Sequence, residues 1–163
     1  MFHRPDTKTG MATNLRRATP ADATTIRNLT RLAYAKWIPL IGREPKPMTV
    51  NYDSAVTDHV IDLYEIDGEA VALIEVVPQA QHLLIENIAV RPDHQGRRVG
   101  ELLLKHAETV ARSFHLNELQ LYTNAAFIQN IEFYARRGFQ EFQREPFPAG
   151  GVTVHMKKMI GAA

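Results

Sequence analysis

The segment "RPDHQGRRVG", residues 91–100, places Gln95, Gly96, Arg97, Arg98, Val99 and Gly100 where the apolar strand pattern of Ile88-Ala89-Val90 gives way to an amphipathic helical one. A helix amino terminus presents unpaired N–H donors and the positive end of the helix dipole, so it receives anions. Small residues let those amides come close to a phosphate, and the arginines add charge. The chemistry this arrangement suits is the binding of a diphosphate-bearing ligand. The same residues also fit a plain strand-to-helix turn with a solvated basic face, and their spacing alone does not decide between the two. Neither GxxxxGK[ST] nor GxGxxG, the two phosphate patterns of nucleotide and dinucleotide sites, occurs in the chain.

The other chemistry-bearing residues narrow the options further. Cysteine is absent, which removes disulfides, thiolate metal ligands and a cysteine nucleophile together. The seven histidines show no H-x-x-x-H spacing on a helix and no association with an acidic cluster, so no metal site is expected.

The elements that must position the helix mouth come from a chain of 163 residues, enough for one domain with a full core. An apolar share of 45% and a charged share of 23% are ordinary for a globular fold. A net charge of +1 gives no reason to expect nucleic acid or an anionic membrane as a partner. No run of about 18 apolar residues occurs, and "MFHRPDTKTGMATN" has no apolar signal core, so a cytoplasmic location is the default expectation. Residues 1–12 are read as a disordered leader and residues 13–163 as the domain.

"NLRRA" suits a short first strand, and Thr19-Pro20 a helix start with Thr19 as N-cap. The spacing of Ala23, Ile26, Leu29, Leu32 and Ala33 predicts the first helix, which gives way at "IPLIGREPKPM" to a semi-rigid loop without regular structure. A short helix in "TVNYDSAVTDHV" precedes three antiparallel strands, with Asp67-Gly68 as the hairpin signal and Pro78 to Gln81 as a looser turn. A long helix is expected from Gly96 to about Phe114, with Val99, Leu102, Leu103, Ala107, Val110 and Phe114 on its apolar stripe. Glu101/Lys105 and Glu108/Arg112 are its i,i+4 pairs. After a strand at "ELQLYT" comes a helix capped by Asn124 and stopped at Gly138, then two closing strands. The order β-α-α-β-β-β-α-β-α-β-β is that of an α+β domain on a mixed, mostly antiparallel sheet flanked by helices.

With these elements in place the chain resembles the GNAT superfamily of N-acetyltransferases. The family's acetyl-CoA motif is a strand ending in a hydrophobic-Ala-Val segment followed by [Q/R]-x-x-G-x-[G/A]. Here "IAV" precedes Gln95-Gly96-Arg97-Arg98-Val99-Gly100. The second signature, Asn, then Tyr four residues on, then Gly-Phe, matches Asn130, Tyr134, Gly138 and Phe139. One position departs: Arg98 stands where the family most often has its first motif glycine, and its Cβ restricts close approach of a phosphate.

The resemblance implies a single-domain GNAT-like fold that uses acetyl-CoA as co-substrate, with direct attack by a primary amine of a small molecule or peptide and no covalent enzyme intermediate. It implies that main-chain groups of Ile88, Ala89 and Val90 hold the pantetheine arm, with an oxyanion donor near Ala89 or Val90, and that residues 95–100 hold the pyrophosphate. By the same resemblance Tyr134 protonates the coenzyme A thiolate, and Asn130, one turn earlier on the same face, bonds the pantetheine or its strand. An alkyl amine with a pKa near 10.4 must lose a proton before attack, and Glu86, just ahead of the pantetheine strand, is the expected base, with Asp53 in reserve. Tyr34, Trp37, Ile38, Met48 and Tyr52 form an aromatic and apolar set; of these Tyr34, Trp37 and Tyr52 are expected to hold the amine by cation–π attraction, although plain packing under the loop fits them equally. The alternative function is a non-catalytic acyl-CoA-binding or regulatory domain. A homodimer through edge-strand pairing is consistent with the strand order.

Overall fold

The computed structural model describes residues 12–161. Thr13–Arg17 (β1), Val60–Ile66 (β2), Glu69–Pro78 (β3), Leu83–Val90 (β4), Glu118–Asn124 (β5), Gln140–Pro146 (β6) and Val152–Met159 (β7) form one seven-stranded sheet. Its order is β1-β2-β3-β4-β5-β7-β6, with every neighbouring pair antiparallel except β4 and β5. Ala23–Tyr34 (α1), Ile38–Ile41 (α2), Tyr52–Asp58 (α3), Val99–Ser113 (α4) and Ile128–Ala135 (α5) complete the described chain. The result is the expected α+β arrangement. Of the leader expected at residues 1–12, only Ala12 lies among the described residues, where its N–H donates to Asp67 Oδ1 at 3.1 Å.

Asp67 and Gly68 join β2 to β3 with φ of 52° and 81°, the pair of left-handed residues that a tight hairpin turn requires. β4 and β5 run parallel, so no tight turn can connect them, and α4 makes the crossover. Their ladder is short: only Leu83–Ile85 pairs with Leu119–Leu121. On its other side β4 carries a bulge against β3, since Glu75 pairs with Asn87 and Val76 with Ile85, leaving Glu86 as the extra residue. One inserted residue reverses the faces of a strand. Leu83 and Ile85 accordingly lie in the core that holds Leu103, Leu104 and Ala107 of α4, whereas Ala89 lies in the core that holds Ile26 and Leu29 of α1 and Tyr52 of α3.

Several boundaries and faces differ from the sequence reading. α4 begins at Val99, three residues after Gly96, because Gly96 and Arg98 both have positive φ, at 78° and 62°, and cannot be helical. Its buried stripe is Val99, Leu103, Leu104, Ala107, Val110 and Ala111, with Leu102 and Phe114 exposed. In α1 the apolar stripe runs over Ala23, Ile26, Leu29 and Ala33, with Leu32 turned outward. Glu108 pairs with Arg112 at 3.6 Å as expected, but Glu101 pairs across to Arg137 at 3.7 Å. Asn124 ends β5 and caps a turn, accepting from Ala126 N at 2.9 Å, and α5 starts only at Ile128. The Pro-rich loop is also more regular than expected. Pro39 enters the first turn of α2 and Pro47 that of a 3-10 turn at Lys46–Thr49, positions where no N–H is needed.

Candidate active site

The helix mouth is built by a 3-10 turn at Pro92–His94 and the two left-handed residues that follow. Gln95 ties it down from both ends of its amide. Nε2 donates to the Val90 carbonyl at 2.9 Å, and Oε1 accepts from Lys36 Nζ at 2.9 Å. A Cβ on Gly100 would lie 3.0 Å from Phe133 Cζ, so the glycine allows α5 to lie against the first turn of α4. A cavity opens here, lined by Gln95, Gly96, Arg98, Val99 and Gly100, and by Trp37 and Val90 opposite. Arg97 is exposed and is not part of this lining. The side chain of Ala89 is fully buried toward α1.

Tyr34, Ile88, Asn130 and Tyr134 line this cavity and also a second one beside it. Tyr134 stands edge-on to Phe133 and Phe139, with centroids 5.4 and 5.8 Å away, and burial pushes its phenol up to about 12. Tyr34 faces the strand and donates to the Ile88 carbonyl at 3.2 Å. Burial holds its phenol well above the ordinary range, so it stays a donor.

The second cavity lies where β4 and β5 part. The parallel register of Ile85 with Leu121 makes Glu86 and Tyr122 the next residues on each strand, and their side chains meet: the Tyr122 hydroxyl donates to Glu86 Oε2 at 2.6 Å. Lys46 Nζ donates to the same hydroxyl at 2.9 Å and lies 4.9 Å from the ring centroid. Burial and the bond to Glu86 raise the Tyr122 phenol far above its usual value. Arg43 and Phe147 close the outer side of this cavity.

Asn87, next to Glu86, turns to the opposite face. Its amide donates to Thr30 Oγ1 and to the Tyr52 hydroxyl, each at 3.2 Å, and that hydroxyl donates to the Pro47 carbonyl at 2.7 Å. Tyr52 is 1% exposed, lines neither cavity and serves as an anchor for the loop that carries Lys46. Met48 is likewise buried. Asp53 is 72% exposed and pairs with Arg27 at 3.2 Å, outside both cavities. Trp37 stacks on Phe127 at 4.3 Å; Trp37 lines the first cavity and Phe127 the second.

Glu86, Tyr134, Asn130, Ile88 and Tyr34 are thus brought together, while Asp53 and Tyr52 are not. Tyr122, Lys46, Arg43 and Phe127 are cleft residues that the sequence reading missed. The one signal available for Tyr122 was its place at the end of a strand, and that signal becomes informative only once the β4–β5 register is known. Among the described residues no three His, Asp or Glu side chains group to hold a metal ion, and no helix is long and apolar enough to cross a membrane.

The strand splay, the bulge and the helix mouth shape one continuous cleft, and comparison with known proteins gives it a family. The family model for the acetyltransferase (GNAT) family matches residues 26–139, and the chain belongs to that family. Streptothricin acetyltransferase of Streptomyces lavendulae is 35% identical over 75 residues, a match that spans 45% of this chain and 40% of that protein's length. Among solved structures, a putative GNAT-family acetyltransferase from Desulfovibrio desulfuricans superposes with a TM-score of 0.77 at 18% identity, covering 92% of this chain and 100% of that one. PaiA N-acetyltransferase from Thermoplasma acidophilum, in complex with coenzyme A, gives a TM-score of 0.71 at 18% identity, covering 91% and 99% of the two chains. At such identities the structural likeness defines the fold.

Proposed function

We propose that this protein is an acetyl-CoA-dependent N-acetyltransferase that passes the acetyl group directly to a primary amine of a small molecule or peptide, without a covalent enzyme intermediate. The observation that carries the reading is the junction of two cavities on Tyr34, Ile88, Asn130 and Tyr134, one running to a helix amino terminus and the other to Glu86. A two-substrate reaction needs such a meeting point. Acetyl-CoA, which coenzyme A-bound members of the fold support as the donor, supplies an activated thioester and a thiol leaving group.

The residues present fit that donor. The first-turn amides of α4 have no partners within the helix and face the cavity of Gln95 to Gly100, which suits a pyrophosphate. The Arg91 N–H donates to Val71 on β3 at 2.8 Å. Alternation along an extended strand therefore turns the N–H groups of Ile88 and Val90 the other way, toward the gap beside β5. Their carbonyls accept from Tyr34 and Gln95, so these amides are the groups left to pair with a pantetheine arm. The Val90 N–H is also the donor suited to a developing oxyanion, since Ala89 points its own N–H toward β3.

Proton movement falls to two side chains. Glu86 takes the proton from the incoming ammonium, directly or through water, because an alkyl amine is almost fully protonated at neutral pH. Tyr134, kept protonated by burial, gives its Oη proton to the departing sulfur. The test is release of free coenzyme A with a panel of primary amines. Binding of acetyl-CoA without transfer to any amine would refute this reading and favour a non-catalytic acyl-CoA-binding domain.

A further inference from the structure

Resting on the acetyl-transfer reading above, we infer that the acceptor is a small zwitterion, a primary amine that carries a carboxylate a few bonds away. The charge of the second cavity points there. Among the described residues that line it, Glu86 is the one carboxylate, and Arg43 and Lys46 are the two cations. Glu86 is committed to the amine, which leaves two positive charges facing the rest of the acceptor.

Among the described residues those two cations hydrogen-bond only to neutral partners. Arg43 donates to the carbonyls of Glu44 at 3.4 Å and Gly150 at 3.1 Å, and lies 4.7 Å over the Phe147 ring. Lys46 donates to the Tyr122 hydroxyl. Elsewhere most described arginines sit on carboxylates, among them Arg16 on Asp22, Arg17 on Asp62, Arg31 on Glu44 and Arg91 on Asp93. Of the described guanidinium groups, Arg43, Arg97 and Arg98 do not pair with acid, and Arg43 is the one of these three that lines the second cavity. A planar fork and an ammonium facing one space together suit a carboxylate.

The spacing sets the size of the ligand. Glu86 Oε2 and Lys46 Nζ both bond to the single hydroxyl of Tyr122, at 2.6 and 2.9 Å. The amine-accepting and anion-accepting groups are thus separated by no more than a small molecule can span. Lys46 is also held in place: it lies between Pro45 and Pro47, and the Pro47 carbonyl is fixed by buried Tyr52. An acceptor with a second ammonium in place of the carboxylate would meet like charge at the same point.

The experiment is a matched series, in which each of several α-amino acids is assayed beside its carboxamide and its decarboxylated amine at fixed ionic strength. The carboxylate member should have kcat/KM at least about tenfold higher, the range of a hydrogen bond to a charged group. Lys46→Gln and Arg43→Gln should each pull that ratio toward one, and Lys46→Glu should invert it. Equal or better rates on the carboxamides with the unsubstituted protein would overturn the inference while leaving acetyl transfer intact. If no amine is turned over, the functional reading fails separately. Calorimetry of the same pairs with the acetyl-CoA-loaded protein then decides the present point: tighter binding of the carboxylate member upholds it, and equal binding refutes it.

Discussion

The two cavities that meet at Tyr134 are built in opposite ways. The one at the helix mouth draws its largest share from a single stretch of chain, Ile88 to Gly100, with the end of α1 up to Trp37 on one side and α5 on the other. The one at Glu86 gathers Arg43 and Lys46 from the Pro-rich loop, Tyr122 from β5, Phe147 from the loop after β6 and Thr153 from β7. A site dominated by one segment inherits much of its shape from local backbone preferences, so its chemistry can be conveyed by a short motif. A site assembled from distant segments depends on strand register and loop anchoring, and it can change its ligand while the first stays constant.

The largest effect is expected where the two cavities share a wall. Tyr134→Phe should lower kcat by about 10²-fold or more, the range of general acid catalysis, while acetyl-CoA binding measured by calorimetry changes little. Because burial holds Tyr134 up to about 12, the pH–rate profile of the unsubstituted protein should show no falling limb near pH 10. A limb centred there would mean that burial does not raise the phenol, and an unchanged kcat in the phenylalanine variant would remove Tyr134 from the role of acid.

Glu86→Gln tests the acceptor side alone. It should lower kcat/KM by about 10²-fold at neutral pH, and the deficit should shrink as pH rises toward the pKa of the amine and free amine accumulates. A deficit constant over pH 7 to 10 would assign Glu86 to packing rather than proton transfer.

Gly100→Val tests the packing of α5 against the helix mouth. Its Cβ would meet Phe133 Cζ at 3.0 Å and its γ carbons would add to the crowding, so the Phe133 ring or the helix that carries it must give way, at a cost of about 1–3 kcal/mol in stability. Acetyl-CoA affinity should weaken along with it, and thermal unfolding with and without ligand measures both. A variant as stable and as tight-binding as the parent would mean that the contact between α4 and α5 yields freely.

The smallest effect is expected at Arg98. Its φ of 62° is the conformation that glycine adopts without a Cβ penalty, so Arg98→Gly should stabilise the fold by about 1 kcal/mol. The backbone already follows the path a glycine would take, and acetyl-CoA affinity should therefore change by no more than a few-fold. A large tightening would show that the Arg98 Cβ does hold the phosphate away.

Much of the frame was legible along the chain. The Asp67-Gly68 hairpin, the three-strand meander, the crossover helix and the stop at Gly138 all follow from turn chemistry and hydrophobic period. The errors have a common cause. Leu32, Leu102 and Phe114 are apolar residues at nearly the right helical angle, and only the position of the neighbouring strands decides which flank of the stripe is covered. Tyr52 beside the loop looked like an acceptor contact. It is instead the buried partner of Asn87, because the bulge at Glu86 turns Asn87 toward α1 and α3.

By itself the sequence determined the mostly antiparallel α+β order, the glycine-containing turn at the mouth of the crossover helix and the pair of motifs that mark the acetyltransferase family. Each of these is written in contiguous residues through backbone dihedrals, helix-end donors and periodicity. Tertiary structure alone decided that Glu86 meets Tyr122 and Lys46, and that Asp53 stands apart. Those contacts depend on where the β4–β5 ladder ends and on one inserted residue in β4, and long-range register of that kind leaves no local trace in a chain.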